Sequence, residues 1–420
     1  MIFGAVFWSV YADKLGRRSA FVASLACIFL AGLASAFSPS ALWLVVFRIL
    51  VGFGVGGSLP VTTILVSEFL PTKDRGQALC RLSGQFWGAG LVSASVLGLV
   101  LNRATGSSPG REEDMWRWFL GLAAVPGVMV LAAYFFLPES PRFLSVVGRH
   151  DEAVKIVESV ARANGKTAVL GMNLSELKSD GGGVGLPIKA PSANSVGSEK
   201  STAGWDVREL FRTPTLRRAT ISCWRIWLFR NMSYYGLTFL LPSYYRDIFG
   251  STDDSVYIFS SVLGVVTALS SYLSIWLSAE GRLGRVDTIK WPSVVTAVLM
   301  LVMAASYDTP AVFLPVSVLA YFFKAIPSIV KYVITPELFS TQHRAVAMGT
   351  ATIWARIGAT LAPVVASVLF DKARVLPLAV FGPSTFLVAV FCYMIPFETA
   401  GRKLDDEEHK TEHAAVEQAP

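Results

Sequence analysis

The chain has 420 residues, of which 53% are hydrophobic and only 16% are charged, whereas a soluble domain carries about 25% charged residues. Apolar stretches of membrane-spanning length recur from end to end, so the composition argues against a soluble protein and indicates a polytopic α-helical membrane protein. The formal net charge of +7 does not point to nucleic acid, because basic residues collect in the cytoplasmic loops of membrane proteins.

Eleven apolar segments are predicted as spans or parts of spans. In chain order they lie at about 1–12, 19–37, 42–69, 77–101, 116–137, 219–241, 256–278, 288–306, 311–334, 345–370 and 377–396. The first is short, because twelve helical residues rise only ~18 Å and the hydrocarbon core is ~30 Å thick. It also lacks the leading charge and the cleavage site of a secretory signal. We interpret it as the end of a span that begins upstream of Met1.

The loops between these segments alternate in charge. One set is rich in Lys and Arg, whereas the other contains acidic residues such as Asp253 and Asp308. By the positive-inside rule the basic set is cytoplasmic, and so is the C-terminus. A stretch rich in Gly and Ser separates the two groups of spans. The predicted N-terminal domain, at 1–164, is a half-bundle without its first span plus a cytoplasmic helix. A flexible cytoplasmic linker follows at 165–218. The predicted C-terminal domain is a six-helix half-bundle at 219–400, and a disordered cytoplasmic tail follows at 401–420.

Three short motifs occur twice, in the same order and at a nearly constant offset. The pairs are DKLGR at 13–17 with GRLGR at 281–285, Glu68-x6-Arg75 with Glu337-x6-Arg344, and PESPR at 138–142 with PFETAG at 396–401. Such a repeat indicates two homologous halves. Both copies of each motif fall on the predicted cytoplasmic side, so the repeat is parallel. This is the arrangement of transporters that bind substrate between two six-span halves near the membrane midplane.

These residues resemble the major facilitator superfamily, and its sugar-porter-like branch in particular. The glycine pattern from Arg48 to Gly57 fits the fourth span of that family, and SYYG at 233–236 with ARIG at 355–358 is similar to its synaptic-vesicle-protein-related and nicotinate-transporter-like group. The resemblance implies two parallel-repeat helical bundles, with 11 of the usual 12 spans visible, and transport by alternating access. The chain departs from the family pattern at Ser9, at Gly281 with the acid displaced to Glu280, and at the inserted Phe397.

The resemblance also implies a role for the repeated charges. In the family they form ion pairs between the halves, which lock the outward-facing state and break on inward opening. Several modest pairs give a latch that substrate binding can offset, whereas the plainer alternative is a set of solvated topology charges. Arg48 is expected to pair with an acid on the absent first span. The predicted gating residues are Asp13, Arg17, Arg48, Glu68, Arg75, Glu139, Arg142, Arg285, Glu337 and Arg344.

A second group of charges lies deep within the predicted spans of the second half. Arg230, Lys324 and Arg356 lie ~18–20 Å along their helices from the cytoplasmic ends, and no Asp or Glu lies comparably deep. Charges at such depth are costly and are read as functional. Their partner is either an organic anion, the substrate, or an acid of the absent span. Arg81, Arg225 and Lys331 are expected to snorkel to an interface. The predicted substrate-binding set is Arg230, Asn231, Tyr234, Tyr235, Lys324, Arg356 and Gln85.

The leading functional prediction is a secondary active transporter of a small organic solute, either an organic anion or a sugar-like molecule. The alternative is a truncated or non-transporting protein of the same fold that acts as a binding or regulatory membrane protein. An enzyme is not expected, because the four histidines lie outside the spans and no catalytic, metal or Walker motif is present. We expect a monomer in the lipid bilayer, with a small-molecule substrate, no cofactor other than a candidate proton gradient, and no nucleic acid.

Overall fold

The computed structural model describes residues 1–70, 75–105, 112–132, 134, 136–165, 207–249, 253–279, 281–339 and 343–400. This part of the chain is helical and contains no β-strand. In the first portion the helices are α1 (Ile2–Leu15), α2 (Arg17–Ala36), α3 (Ala41–Phe69), α4 (Arg75–Thr105), α5 (Glu112–Ala124), α6 (Pro126–Ala132), α7 (Pro141–Val146) and α8 (His150–Ala163). A 3₁₀ helix (Val207–Phe211) then precedes α9 (Pro214–Phe249), α10 (Asp253–Leu277), α11 (Gly284–Ala305), α12 (Pro310–Glu337), α13 (Arg344–Lys372) and α14 (Leu376–Cys392).

Every predicted apolar segment coincides with one helix or with a pair of consecutive helices. Among the described residues, seven helices are long and apolar enough to cross a membrane, namely Arg17–Ala36, Ala41–Phe69, Gly84–Ala104, Asp254–Leu277, Gly284–Ala305, Pro310–Glu337 and Val346–Lys372. The other four segments correspond to α1, to α5 with α6, to α9 and to α14. The prediction of an all-α, multi-pass membrane protein is therefore confirmed.

Proline explains one difference between the predicted and observed helices. The segment at 116–137 was expected to form one span, but α5 ends at Ala124 and α6 begins at Pro126. Pro126 has no N–H to donate to the preceding turn and its ring crowds that turn, which interrupts the helix at Val125. By contrast α9 continues seven residues beyond Pro242, so a proline inside a well-packed helix does not always end it.

Ordered structure in the second half begins before residue 219, where the linker was predicted to end. The 3₁₀ helix at 207–211 and the first turn of α9 lie within that predicted linker. Leu210 is fully buried, and the Thr220 hydroxyl donates a hydrogen bond to its carbonyl at 3.2 Å. Burial of Leu210 anchors this short helix to α9. The rest of the predicted linker, residues 166–206, and the predicted tail at 401–420 lie outside the described residues.

The described residues group into two compact units. The first takes those of Met1–Leu79 and Ala104–Thr202, and the second takes those of Cys80–Arg103 and Ala203–Pro420. In the first unit α1, α2 and α3 pack through small residues, as the glycine pattern of the predicted segment at 42–69 suggests. A Cβ on Gly57 would overlap the Trp8 side chain, and one on Gly54 would lie 2.7 Å from Cγ1 of Ile28. Glycine is therefore needed at both positions for close helix packing.

The middle of α4 packs in the second unit, although the sequence repeat assigns this helix to the first half. Gly88 on α4 faces Gly264 on α10, and a Cβ on Gly88 would lie 2.6 Å from the Gly264 carbonyl oxygen. Near the end of α4, Arg103 Nε lies 2.9 Å from Asp254 Oδ2. The absence of side chains at the glycines lets α4 and α10 approach closely, and this ion pair joins their ends.

The second unit is built around α9, which contacts α12, α13 and α14. The glycines of the SYYG and ARIG motifs lie at two of these helix crossings. A Cβ on Gly236 would lie 2.6 Å from the Phe381 ring on α14, and one on Gly358 of α13 would overlap the Leu228 carbonyl on α9. The same packing buries the polar face of α9 that carries Arg230 and Asn231.

Candidate functional site

The first unit contains a charge cluster centred on Arg17, which we call cluster 1 and which comprises Asp13, Arg17, Glu68 and Glu139. Arg17 Nη2 lies 3.0 Å from Asp13 Oδ1, and Arg17 Nε lies 3.8 Å from Glu68 Oε1. The Glu139 carboxylate accepts hydrogen bonds from the backbone N–H groups of Arg17 and Arg18, both at 3.0 Å. Glu139 thereby caps the start of α2, where free N–H groups and the helix dipole favour a negative charge.

A matching cluster 2 lies in the second unit and comprises Arg285, Glu337, Glu398 and Thr399. Arg285 Nε lies 2.5 Å from Glu337 Oε2, which also accepts the Thr399 hydroxyl at 2.7 Å. Glu398 accepts the backbone N–H groups of Arg285 and Val286 at 2.8 and 3.0 Å. Cluster 2 therefore repeats the arrangement of cluster 1, with Glu398 capping α11 as Glu139 caps α2.

Glycine precedes the capped helix in both clusters. Gly16 has φ +105° and Gly284 has φ +79°, a region that L side chains rarely adopt. A Cβ on Gly284 would also lie 2.8 Å from Glu398 Oε2, and one on Gly16 would overlap the Glu139 carboxylate. The repeated LGR motif thus requires glycine for two reasons, namely its positive φ angle and the carboxylate that occupies the space of a side chain.

The ion pairs described for the predicted latch residues in clusters 1 and 2 join residues of the same unit. The ion pairs between the halves that the family resemblance implies stay a prediction. Arg142 is half-buried in α7, whereas Arg48 is exposed on α3 and lies outside both clusters. The side chains of Arg75 and Arg344, and all of Glu280, lie outside the described residues. Glu398 lies within the PFETAG motif but was not predicted as a site residue.

A second polar site lies between α9 and α12 in the second unit. Trp227, Asn231, Tyr234 and Thr238 follow one another on α9 at intervals of four, three and four residues, which places them on one helix face. Lys324, Ser328, Lys331 and Thr335 repeat the same intervals on α12. Hydrogen bonds connect the two rows in antiparallel order, so we call these residues, together with Arg230, the cation ladder.

Lys324 forms one end of the cation ladder. Its Nζ donates to the Tyr234 carbonyl at 3.0 Å and to the Thr238 hydroxyl at 2.8 Å. The same Nζ lies 3.8 Å from the Tyr321 ring centroid and 4.1 Å from that of Tyr234. Two oxygen acceptors and two aromatic faces therefore surround this ammonium group, which is only 1% exposed.

Lys331 belongs to the cation ladder, and the expectation that it snorkels to an interface is wrong. Its side chain is 3% exposed, and its Nζ donates to Asn231 Oδ1 at 3.1 Å and lies 4.4 Å from the Trp227 ring centroid. The Asn231 amide in turn donates to the Trp227 carbonyl at 2.7 Å, which leaves its oxygen for the lysine. Packing between α9 and α12 holds the Lys331 side chain inside the protein.

Arg230 occupies the middle of the cation ladder. One Nη donates to the Ser328 hydroxyl, and the guanidinium carbon lies 5.4 Å from the Tyr234 ring centroid. The side chain is 1% exposed, but Nε and Nη1 have no hydrogen-bond partner among the described residues. A guanidinium group has five N–H donors, so most of the hydrogen-bonding capacity of Arg230 is unused.

No described Asp or Glu forms an ion pair with Arg230, Lys324 or Lys331. Of the other predicted binding residues, Tyr235 is half-buried and makes an edge contact with Tyr234 at 5.3 Å. Arg356 on α13 is half-buried within electrostatic range of Lys331. Gln85 is half-buried on α4, and no described hydrogen bond joins it to the cation ladder. The prediction missed Lys331, Ser328 and Thr238, although their spacing on the two helices could have identified them.

The chain has the major facilitator fold. The chain superposes on the proton:xylose symporter XylE bound to 6-bromo-6-deoxy-D-glucose with a TM-score of 0.70, at 18% identity, over 97% of this chain and 86% of that one. It also superposes on a partially occluded inward-open form of XylE from E. coli, with a TM-score of 0.68 at 17% identity, over 96% of this chain and 87% of the other.

The chain belongs to the sugar (and other) transporter family, whose model matches residues 1–410. It is 29% identical over 437 residues to the synaptic vesicle 2-related protein of Bos taurus, which covers 98% of this chain and 71% of that protein. It is also 29% identical over 447 residues to organic cation/carnitine transporter 7 of Arabidopsis thaliana, with 97% and 83% covered. These similarities confirm the family resemblance and support membrane transport of a small molecule.

Proposed function

We propose that the protein carries a small organic anion across the membrane by alternating access and binds its carboxylate at the cation ladder. The observation that carries this proposal is Arg230, which is 1% exposed and has Nε and Nη1 without hydrogen-bond partners among the described residues. A buried guanidinium is stable only when charge and hydrogen bonds compensate its loss of water. A substrate carboxylate supplies both, because it accepts two N–H groups of one arginine.

The charges of the cation ladder favour an anionic over a cationic substrate. The buried Lys and Arg side chains described in the second unit are Arg230, Lys324 and Lys331, and no Asp or Glu described in that unit is buried. An organic cation would add a further positive charge to this region without a counter-charge. One relative is named an organic cation/carnitine transporter, so a quaternary ammonium compound is the appropriate competing substrate to test.

In this proposal clusters 1 and 2 stabilise helix ends at the cytoplasmic side and help to set the balance between outward- and inward-facing states. Their carboxylates hold the starts of α2 and α11, and the arginines beside them tie those starts to the ends of α3 and α12. Loosening one cluster would change the relative stability of the two states, and hence the transport rate. It would leave the contacts of the cation ladder intact.

We further propose that uptake of the anion is coupled to protons. Moving one negative charge into a compartment at −100 mV costs about 2.3 kcal/mol, and a co-transported proton removes that cost. An imposed inward proton gradient should therefore raise the initial uptake rate in vesicles. Equal rates with and without the gradient would contradict coupling while leaving anion transport in place.

The decisive experiment is uptake of labelled monocarboxylates by vesicles containing the full chain, with Arg230→Gln as the test variant. We expect saturable uptake by the wild type and a large increase in the half-saturating concentration for Arg230→Gln. Arg225→Gln is the matched control, because Arg225 lies on the same helix but is exposed and outside the cation ladder.

Two results would overturn the proposal. One is an unchanged half-saturating concentration in Arg230→Gln. The other is uptake that is inhibited by tetraethylammonium but by no carboxylate. Saturable carboxylate binding without uptake would instead support the non-transporting alternative.

A further inference from the structure

The three cations of the ladder differ in how many of their N–H donors are already used. Lys324 has two oxygen acceptors and two aromatic rings around its ammonium group. Among the described residues, Lys331 has one oxygen acceptor, Asn231, besides the rings of Trp227 and Tyr332 at 4.4 and 5.2 Å. Arg230 has one described oxygen acceptor, Ser328. An ammonium group has three donors and a guanidinium has five. Spare donors are therefore concentrated on Arg230 and Lys331.

Arg230 and Lys331 are also neighbours along the ladder. Ser328, which bonds Arg230, precedes Lys331 by three residues on α12, a rise of about 4.5 Å. Asn231, which bonds Lys331, is adjacent to Arg230 on α9. Both side chains are at least nine-tenths buried, so the two positive groups lie inside the protein at positions that differ by about one helical turn.

One carboxylate carries a single negative charge, which balances only one of these two positive groups. A single anion on Arg230 would leave Lys331 with Asn231 as its one described oxygen partner and no described counter-charge. Asn231 cannot become a stronger acceptor by rotating, because its amide nitrogen is held by the Trp227 carbonyl at 2.7 Å. The group that would complete the surroundings of Lys331 is thus a second anionic oxygen, next to the first.

We infer that the cation ladder binds a substrate with two anionic groups, one on Arg230 and one on Lys331. The short distance between the two sites fits an aliphatic dicarboxylate with about two or three methylene groups, such as succinate or glutarate, whose carboxylates span roughly the rise of one helical turn. This inference rests on the proposed function and makes its substrate class specific.

The test compares glutarate with valerate, which has the same number of carbons and one carboxylate fewer. Dissociation constants are measured by tryptophan fluorescence on the full chain in detergent and checked by competition in vesicle uptake. The wild type should bind glutarate at least about tenfold more tightly than valerate, since hydrogen bonds between charged groups are strong. Lys331→Met should weaken glutarate by a clearly larger factor than valerate and so remove most of that preference.

Three controls make the test specific. Lys331→Arg keeps the charge and should keep the preference for glutarate. Lys372→Met removes an exposed lysine on α13 and should change neither constant. A series from malonate to suberate on the wild type needs no variant, and its affinity should peak at succinate or glutarate. This series decides the question even if Lys331→Met does not fold.

The outcomes separate the inference from the function on which it rests. Equal affinities of the wild type for glutarate and valerate, including no binding of either, would overturn the two-anion site. Equal losses for both acids in Lys331→Met would do the same. If Arg230→Gln still weakens valerate in either case, the protein remains a monocarboxylate carrier and only the two-anion inference fails.

Discussion

The two charged regions of the second unit differ in how their cations are compensated. In cluster 2, Arg285 contacts the Glu337 carboxylate at 2.5 Å, and Glu398 caps the helix on which it stands. In the cation ladder, Arg230, Lys324 and Lys331 contact only hydroxyl, amide and carbonyl oxygens and aromatic rings among the described residues. In cluster 2 a carboxylate compensates the charge of the arginine. In the ladder no described carboxylate compensates the charges of the three cations. Under the proposed function, this difference distinguishes cluster 2, which holds helix ends together, from the cation ladder, which binds the substrate.

The largest expected effect is on substrate affinity and tests the cation ladder. Arg230→Gln should weaken binding of the substrate carboxylate about 10- to 100-fold, because a hydrogen bond to a charged group contributes about 1.5–3 kcal/mol. The measurement is the dissociation constant of a transported carboxylate, with Arg225→Gln as control. A loss of less than about twofold would remove the distinction between the ladder and cluster 2. Loss of thermal stability without loss of affinity would assign Arg230 a structural role.

A substitution in cluster 2 should change stability and transport rate rather than substrate affinity. Glu337→Gln removes the charge that compensates Arg285, whose side chain is 21% exposed. We expect a decrease of about 1–3 kcal/mol in the free energy of unfolding and an altered transport rate, with little change in substrate affinity. Thermal unfolding in detergent and initial uptake rates test this. Glu209→Gln, which removes an exposed carboxylate outside both sites, is the control, and a lower affinity with normal stability would contradict the comparison.

Much of the fold could be predicted from the sequence. The length of the apolar segments indicates membrane-spanning helices, and the repeated motifs indicate two homologous halves. The charge clusters could also be anticipated, since motifs fix which charges recur. The hydrogen-bond partners within the clusters could not be predicted. Arg17 and Glu139 are far apart in the chain and meet only when the start of α2 packs beside the segment that precedes α7. Lys331 shows a second limit. Its position in the chain suggested an interface, but the packing of α9 on α12 decides its burial, and distance along a helix does not reveal that packing.

A smaller effect is expected at the glycines that precede the capped helices. Gly284→Ala should lower the free energy of unfolding by about 1–2 kcal/mol, because alanine is disfavoured at φ +79°. Its methyl group would also press on the Glu398 carboxylate. Gly148→Ala is the matched control, because Gly148 has φ +86° but open space around its Cβ position. If the two variants lose equal stability, the carboxylate contact contributes nothing beyond the backbone conformation.

The smallest effect is expected at Asp13, where the two clusters differ. Cluster 1 contains this third carboxylate, 3.0 Å from Arg17, while GRLGR of cluster 2 has Gly281 at the equivalent position. The Asp13 side chain is 71% exposed, and an exposed pair four residues apart contributes only about 0.3–0.5 kcal/mol. Asp13→Asn should therefore leave the midpoint of thermal unfolding nearly unchanged, and Glu139→Gln should lower it clearly because Glu139 caps α2. A large destabilisation by Asp13→Asn would mean that cluster 1 depends on an acid that cluster 2 does without, and the two clusters would then not be equivalent in energy despite their common geometry.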